Sequence, residues 1–187
     1  MSEKHNEWHT PRIYVDAARD VMGTIDLDPA TSEKANQTVQ ASLYYTKENS
    51  GLIQEWHGNV WCNPPYGKAI PYAVTGRYAG GGSTVVKSLQ VQFVEKALEE
   101  YRLGHATQII LLVTANTTVR WFQSLWDFPM CTPHGKIGFD VEGMTAKQRQ
   151  VFGNVFVYLG SNEQRFIEVF SELGVITKRV YPQENAA

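Results

Sequence analysis

Residues 94–113, VEKALEEYRLGHATQIILLV, contain the pattern that decides the fold of this chain. Apolar side chains recur at spacings of three and four over Val94–Tyr101, which predicts a helix, and Gly104 lies where such a helix would end. The following residues, Gln108–Val113, are nearly all apolar. A short run of this kind is typical of a strand that is covered on both faces, as in a parallel sheet. The segment therefore predicts one helix-to-strand unit of an α/β sheet.

The same alternation continues on both sides of this unit. Thr10-Pro11 and Gly23 are typical of the start and the end of a helix. The other predicted elements are a helix at Arg12–Met22, a strand at Thr24–Leu27, a helix at Ala30–Gln40, a strand at Asn59–Cys62, a helix at Thr117–Trp126, two strands of an antiparallel pair at Ile137–Phe139 and Val155–Leu159, a helix at Glu163–Leu173 and a strand at Val175–Val180. We therefore predict an α/β fold with a mostly parallel sheet and a C-terminal antiparallel pair. In such sheets ligands bind beyond the carboxyl ends of the strands, which directs attention to the residues after the first three strands.

Composition limits the class of protein. The 187 residues suit one domain, and 43% hydrophobic residues suffice for a core. Seventeen basic and nineteen acidic residues give a formal charge of -2, which excludes binding of nucleic acid by bulk charge alone. No apolar run approaches the roughly 20 residues that span a bilayer. We expect no signal peptide, because residues 1–10 are polar, and the two cysteines match neither a disulfide framework nor a zinc motif, so we expect a cytoplasmic protein without a metal.

We expect a single domain over residues 10–181. Residues 1–9 are predicted to be a flexible leader and residues 182–187 a tail. Residues 67–92 include a run of three glycines and show little apolar periodicity, so we predict a mobile insertion there. The oligomeric state cannot be inferred from these patterns.

The strongest chemical signal is Asn63-Pro64-Pro65-Tyr66, which directly follows a predicted strand. Two prolines fix the backbone and remove two N–H donors, so that nearby carbonyls can accept from a ligand. Asn63 adds a side-chain acceptor, and Tyr66 adds a flat ring. This set suits a planar ligand with an exocyclic amine, because the acceptors can take the two amine hydrogens while the ring of Tyr66 stacks on the ligand. Base–aromatic stacking contributes roughly 1–3 kcal/mol per base. The structural alternative is a rigid turn at the end of a strand.

The wider sequence resembles the phage-type DNA N-6-adenine methyltransferase (Dam) family. Asn-Pro-Pro-Tyr is similar to the catalytic motif of S-adenosylmethionine-dependent amino-group methyltransferases. The further matches are Trp8-His9-Thr10-Pro11, Ile25–Ala30 with Asn36, Asn49–Leu52, Trp56-His57-Gly58, Trp61–Gly67, Leu111–Asn116 with Trp121-Phe122, and Gly135–Phe139. The resemblance covers about residues 8–160. It implies a Rossmann-like methyltransferase fold, S-adenosyl-L-methionine as cofactor and double-stranded DNA as substrate. A member encoded by a bacteriophage would act in the host cytoplasm, and whether its methylation serves restriction-modification or protects its own genome stays open.

The resemblance also implies a mechanism. The exocyclic amine of adenine is a poor nucleophile because its lone pair is delocalised into the ring. The Asn63 side-chain carbonyl and the Pro64 backbone carbonyl would accept the two amine hydrogens, localise the lone pair and stabilise the positive charge that develops on nitrogen. Pro65 would keep the segment Asn63–Tyr66, which we call the corner, rigid. Tyr66 would stack on a base that has left the duplex, a step that costs a few kcal/mol.

For the cofactor, the resemblance implies a site beyond the first strand. The candidate residues are Thr10, Pro11, Asp26, Asp28 and Pro29. Asp28 would lie near the methionine ammonium, with Asp26 as a substitute, while Glu48 and Asn49 are further candidates for the ribose. The turn Asp28–Ser32 lacks the glycines that methyltransferases usually have there. A plain turn and a plain helix start remain the structural alternatives for these residues.

DNA contact must be local in a chain of this charge. The candidate residues are Lys68, Arg77, Lys87 and Lys136. Basic residues on an ordering loop could hold phosphate or support a flipped base. A surface insertion without function is the alternative for the first three.

Two other functions compete with DNA adenine methylation. The same chemistry could act on RNA or on a protein glutamine, since the tetrapeptide serves those amines too. The missing glycines also allow a non-catalytic nucleic-acid-binding domain of the same fold.

Overall fold

The computed structural model of the chain describes residues 8–66, 87–139 and 153–180. Over these ranges it contains five α-helices and one seven-stranded sheet. The helices are α1 Arg12–Met22, α2 Glu33–Val39, α3 Leu89–Arg102, α4 Arg120–Gln123 and α5 Glu163–Ser171. The strands are β1 Leu27–Asp28, β2 Leu43–Tyr44, β3 Gly58–Cys62, β4 Ala106–Thr114, β5 Met130–Pro133, β6 Asn154–Leu159 and β7 Gly174–Thr177.

The strands lie in the order β2-β1-β3-β4-β6-β5-β7. The first four of these are parallel to one another, which confirms an α/β fold whose sheet begins as a parallel one. This half of the sheet is consistent with a Rossmann-like methyltransferase fold. The second half is antiparallel throughout, because β6 is antiparallel to β4 and β5 is antiparallel to both β6 and β7.

The predicted C-terminal antiparallel pair is therefore wrong in its extent and in one of its strands. Ile137–Phe139 is not a strand, because the Phe139 amide donates to the Ile137 carbonyl at 3.0 Å and closes a tight turn. The strands that pair with β6 are β4 and Met130–Pro133. Phe139 is nevertheless buried in the core, so its apolar character serves packing rather than sheet pairing.

Two hydrophobic layers cover the sheet. On one face, Val15 of α1 and Phe170 of α5 join Trp61 and Ile110 in one buried cluster. On the other face, residues of α3 join Val60, Ile109 and their neighbours in a second cluster. The alternation of side chains along β3 and β4 assigns successive residues to opposite layers, as the period of a strand requires. β4 is buried on both faces, which explains its unbroken apolar run.

The helix α1 spans the predicted residues Arg12–Met22, but Pro11 is its N-cap and not its first helical residue. Pro11 precedes it with φ -55° and ψ 139°, and the helix starts at Arg12. At its end, Gly23 adopts φ 84° and donates from its amide to the Arg19 carbonyl at 2.7 Å. A positive φ is cheap for glycine, so this residue can end the helix where a side chain would be strained.

The chain reverses direction across the sheet after β2. β1 lies between β2 and β3, so the chain first turns to one side of β1 and then crosses to the other. The reversal lies between β1 and β3, and open α/β sheets bind ligands beyond the carboxyl ends of the strands at such a point. Asp28 ends β1 and Asn63 directly follows β3, so both residues lie at this edge.

The structure describes only the C-terminal end of the predicted insertion at residues 67–92. α3 begins at Leu89, so residues 89–92 of the predicted insertion are helical, while residues 67–86 lie outside the described ranges. The predicted leader, apart from residues 8 and 9, and the predicted tail also lie outside them. In the parts of the chain that are described, no helix has the length and apolar character needed to cross a membrane. The same parts contain no group of three or more His, Cys, Asp or Glu side chains that could hold a metal ion.

Candidate active site

Asn63 lies at the carboxyl end of β3 with its amide held by the N-terminal segment. Its Nδ2 donates to the Trp8 carbonyl oxygen at 3.3 Å and to Thr10 Oγ1 at 3.2 Å. An amide nitrogen only donates and an amide oxygen only accepts, so the Trp8 carbonyl, which can only accept, decides which end of the Asn63 amide faces this segment. The carbonyl Oδ1 is left to accept from elsewhere. Asn63 therefore presents an oriented hydrogen-bond acceptor at the carboxyl end of β3, where the chain reverses its direction across the sheet.

Tyr66 is anchored by its hydroxyl beside this acceptor. The Tyr66 hydroxyl donates to Asn63 Oδ1 at 3.1 Å and accepts from Asn154 Nδ2 at 2.9 Å. Burial raises the pKa of Tyr66 well above its ordinary value, although the bond from Asn154 acts in the opposite sense. The phenol is thus neutral at ordinary pH and keeps the proton with which it donates. Its ring is held at the carboxyl ends of β3 and β4.

The two prolines of the corner have different environments. Pro64 is buried, whereas Pro65 is exposed. The corner is therefore enclosed by the protein at Pro64 and exposed to solvent at Pro65. Neither proline supplies a competing N–H donor.

Asp28 is a buried carboxyl group that titrates near neutrality. Its side chain is 2% exposed, and Oδ1 accepts from the Ala30 amide at 3.1 Å. Burial raises the pKa of Asp28 to about 7, opposed by hydrogen bonds from the Ala30 amide and the Thr31 side chain. Burial, together with the nearby Asp28 carboxylate, raises the pKa of Cys62 well above its ordinary value. Cys62 therefore stays a neutral thiol within the core.

Asp26 lies at the other end of β1 and has structural partners. Its Oδ2 accepts from the Asn59 amide at 2.8 Å, and its own amide donates to the Asn59 carbonyl at 2.8 Å. Gly58 turns with φ 68° against this carboxylate, where an added Cβ would lie 2.3 Å from Asp26 Oδ2. Of the two acidic candidates, Asp28 is the one that lies at the carboxyl end of β1.

A distant glycine approaches the glycine-poor turn after β1. A Cβ on Gly51 would lie 2.3 Å from the Pro29 carbonyl oxygen and 2.7 Å from Pro29 Cβ. The close contact therefore needs glycine at 51, and Trp56 fixes it further by donating from Nε1 to the Gly51 carbonyl at 2.8 Å. Thr31 is tied to the residue after β2, because its amide donates to the Tyr45 carbonyl at 3.0 Å. The turn is thus rigid without glycines of its own.

Thr10 and Pro11 belong to the N-terminal segment that contacts Asn63. Thr10 is 8% exposed and accepts from Asn63, while Pro11 is half-buried at the start of α1. Trp8 packs edge-to-face on Phe139, with ring centroids 5.6 Å apart. The N-terminal segment is therefore held on one side by an aromatic pair and on the other by Asn63.

The candidate DNA-binding residues are only partly described. Lys87 is exposed just before α3, and its Nζ lies 2.7 Å from Glu95 Oε1. Lys136 is exposed three residues before Phe139. Lys68 and Arg77 lie outside the described ranges.

Two buried polar residues of the site had no counterpart among the predicted site residues. Asn154 contacts Tyr66, and Gln90 joins the start of α3 to the end of β4. Gln90 Nε2 donates to Thr114 Oγ1 at 2.9 Å and Gln90 Oε1 accepts from the Thr114 amide at 3.0 Å. For Asn154 the available signal was a polar residue directly ahead of the apolar run of β6. Neither residue belongs to a recognisable motif.

Fold and site together define the class of protein. The sheet carries the Asn-Pro-Pro-Tyr segment directly after β3, at the carboxyl ends of its parallel strands. A model of the DNA N-6-adenine-methyltransferase (Dam) family matches residues 1–155, and the chain therefore belongs to this family. No curated protein is similar enough to match the chain. The name of the family describes methylation of adenine N6 in DNA, and a methyltransferase of this kind implies S-adenosylmethionine as the methyl donor.

Proposed function

We propose that this chain transfers a methyl group from S-adenosyl-L-methionine to the exocyclic amine of adenine at specific sites in double-stranded DNA. The observation that carries the proposal is the orientation of Asn63. Trp8 and Thr10 hold its nitrogen, so that its carbonyl oxygen faces Tyr66 at the carboxyl edge of β3. Family membership supports adenine as the base.

The corner would activate the amine through hydrogen-bond acceptors. Asn63 Oδ1 already accepts from Tyr66, and a carbonyl oxygen accepts a second hydrogen bond, which an amine hydrogen would form. The Pro64 carbonyl would accept the other amine hydrogen. These acceptors act most strongly in the transition state, when positive charge develops on the nitrogen. Much of the remaining acceleration would come from holding both reactants at attack distance.

Tyr66 and the rigid corner would receive the base. With its hydroxyl anchored, the ring of Tyr66 is fixed beside the Asn63 acceptor. Stacking on this ring would contribute roughly 1–3 kcal/mol, which offsets part of the few kcal/mol needed to extrude the base. Pro65, exposed on the outer side of the corner, would keep it rigid.

Asp28 and its turn suit the methionine end of the cofactor. When bound, S-adenosyl-L-methionine supplies an electrophilic sulfonium methyl. The charged form of Asp28 is stabilised by two hydrogen-bond donors, the Ala30 amide and the Thr31 side chain. An ammonium group would provide the cation that favours ionisation of a buried carboxyl group. Thr10, Pro11 and Pro29 would border the same end.

DNA binding would depend on local basic side chains. Lys136 is exposed, and Lys68, Arg77 and Lys87 belong to the stretch after the catalytic corner. Contacts of lysine and arginine to phosphate position a duplex without reading its sequence. These residues would therefore contribute affinity for DNA and not the choice of target site.

The test is transfer of a labelled methyl group by the full-length chain. The protein is incubated with methyl-labelled S-adenosylmethionine and unmethylated duplex DNA, and the digested DNA is searched for N6-methyl-2′-deoxyadenosine by mass spectrometry. Restriction-digest protection of the same DNA then maps the target sequence. Label on RNA or on a protein glutamine instead would reject the DNA assignment. Absence of cofactor binding in isothermal titration would favour a non-catalytic nucleic-acid-binding domain.

A further inference from the structure

Asn154 is a buried polar residue beside the active-site corner. It begins β6 and pairs in register with Thr114 at the carboxyl end of β4. Its side chain is 4% exposed. Because β6 is antiparallel to β4, the start of β6 lies at the same edge of the sheet as the end of β3. A residue 91 positions after Asn63 thereby reaches the same site.

Asn154 begins a series of hydrogen bonds that runs from its amide through the Tyr66 hydroxyl to Asn63 Oδ1. Its Nδ2 donates to the Tyr66 hydroxyl at 2.9 Å and to the Val113 carbonyl at 3.4 Å. Asn63 Oδ1 can only accept, so the Tyr66 hydroxyl must donate its hydrogen there, at 3.1 Å. The hydroxyl oxygen is then free to accept, and Asn154 supplies the donor. Each bond in this series fixes the direction of the next.

The second polar atom of Asn154 has no partner. Among the described residues, Asn154 Oδ1 is buried and accepts no hydrogen bond. Turning the amide over would pair Oδ1 with the Tyr66 hydroxyl, but that hydroxyl would then no longer donate to Asn63 Oδ1, and the amide end near the Val113 carbonyl would shift position. An unpaired buried acceptor costs free energy. The unpaired oxygen of Asn154 therefore lowers the stability of the fold, while the amide nitrogen of the same side chain holds the Tyr66 hydroxyl.

We propose that Asn154 is a positioning residue for methyl transfer, which acts by holding the hydroxyl of Tyr66. This inference rests on the proposed function. By fixing the phenol, Asn154 sets the ring of Tyr66 against the incoming base and keeps the Asn63 carbonyl in a single orientation. Asn154 itself does not contact the base, so its loss should alter the rate of transfer rather than binding of the cofactor.

The test is a double-mutant cycle on full-length protein. Asn154→Leu removes the donor at similar size, and Tyr66→Phe removes the hydroxyl. We expect each single variant to lower kcat roughly tenfold, with the Kd for S-adenosylmethionine within about twofold of the wild-type value. In the Tyr66→Phe background, Asn154→Leu should change kcat by less than about twofold, because its partner atom is already absent.

A matched control lies at the opposite edge of the sheet. Asn162 Nδ2 donates to the Val21 carbonyl at 3.3 Å, beyond the other end of β6, and Asn162→Leu should leave kcat unchanged. Thermal unfolding of each variant identifies any that does not fold, and Asn154→Ala then replaces Asn154→Leu in the cycle. If neither variant folds, Asn154 serves the stability of the sheet and the inference is wrong.

The outcomes separate this inference from the proposed function. If the wild-type protein transfers no methyl group to adenine, the proposed function fails and the inference falls with it. If the wild-type protein is active but the effects of Asn154→Leu and Tyr66→Phe multiply, only the inference is overturned. A strongly reduced effect of Asn154→Leu in the Tyr66→Phe background supports it.

Discussion

The buried carboxyl group of Asp28 should make the stability of this protein fall as the pH rises towards neutrality. Its pKa is raised from an ordinary value of 3.8 to about 7 in the folded chain. Between these values the folded state holds a proton that the unfolded state has lost, so the free energy of unfolding decreases with pH. At about 1.4 kcal/mol per pKa unit, the full effect is roughly 4 kcal/mol. This stabilisation is complete below about pH 4 and lost above about pH 7.

Asp28→Asn isolates this effect from all other titrating groups. The asparagine keeps an oxygen that can accept from the Ala30 amide but carries no titrating proton. We propose urea unfolding of both proteins at pH 5, 6, 7 and 8. The stability of the wild-type protein relative to Asp28→Asn should fall by about 1.4 kcal/mol per pH unit up to pH 7 and then level off. A difference that stays constant from pH 5 to 8, or that grows with pH, would refute the assignment of a raised pKa.

The same carboxyl group should control the pH dependence of cofactor binding. If the methionine ammonium pairs with ionised Asp28, affinity for S-adenosylmethionine should fall below pH 7 by up to about tenfold per pH unit, because a proton must leave first. Isothermal titration of Asp28→Asn should show weak binding with little dependence on pH over this range. Equal affinities of the two proteins at pH 8 would remove Asp28 from the cofactor site.

Three further predictions concern the corner and its supports. Asn63→Ala should lower methyl transfer by at least about a hundredfold, the usual scale for losing one transition-state hydrogen bond, with cofactor affinity in isothermal titration within about twofold of the wild-type value; a smaller loss would contradict the role of its carbonyl. Thr10→Val keeps the shape of the side chain but removes the Oγ1 acceptor from Asn63, so kcat in the labelling assay should fall several-fold, and an unchanged kcat would mean that Trp8 alone orients the amide. Gly51→Ala would place a Cβ against the Pro29 backbone, and urea unfolding should show a loss of about 1–3 kcal/mol; full stability would contradict the close approach.

The elements whose bounds depend on neighbouring residues could be predicted from the sequence. α1 is bounded by Pro11 and Gly23, whose backbone preferences act within the residue itself. β4 is buried on both faces, so its apolar run identifies it directly. The sequence could not identify β2, because two residues contain no period and the strand exists only through pairing with β1.

The antiparallel half of the sheet was harder to predict for a related reason. Met130–Pro133 forms a strand because β6 and β7 flank it, and neither partner is adjacent in sequence. Ile137–Phe139 has a more convincing apolar pattern, yet its backbone closes on itself in a tight turn. Apolar character shows that a residue is buried and does not show which backbone groups it pairs with.

At the candidate site, the sequence predicted the residues of the motif but not the side chains that hold them. Asn63 and Tyr66 stand out because two prolines lie between them. Asn154 and Gln90 have no such context, and only the register of β6 and the start of α3 bring them to this edge. Thr10 was predicted to border the cofactor, and the structure adds that it accepts from Asn63.

The most direct measurement is the amount of N6-methyladenine formed in duplex DNA by the wild-type protein and by Asn63→Ala, at saturating S-adenosylmethionine. Asn162→Ala serves as the matched control, because its amide lies at the opposite edge of the sheet. We expect N6-methyladenine with the wild-type protein and with Asn162→Ala, and almost none with Asn63→Ala. Equal formation by Asn63→Ala, or none by a wild-type protein that binds both the cofactor and DNA, would contradict activation of the adenine amine by the Asn63 carbonyl.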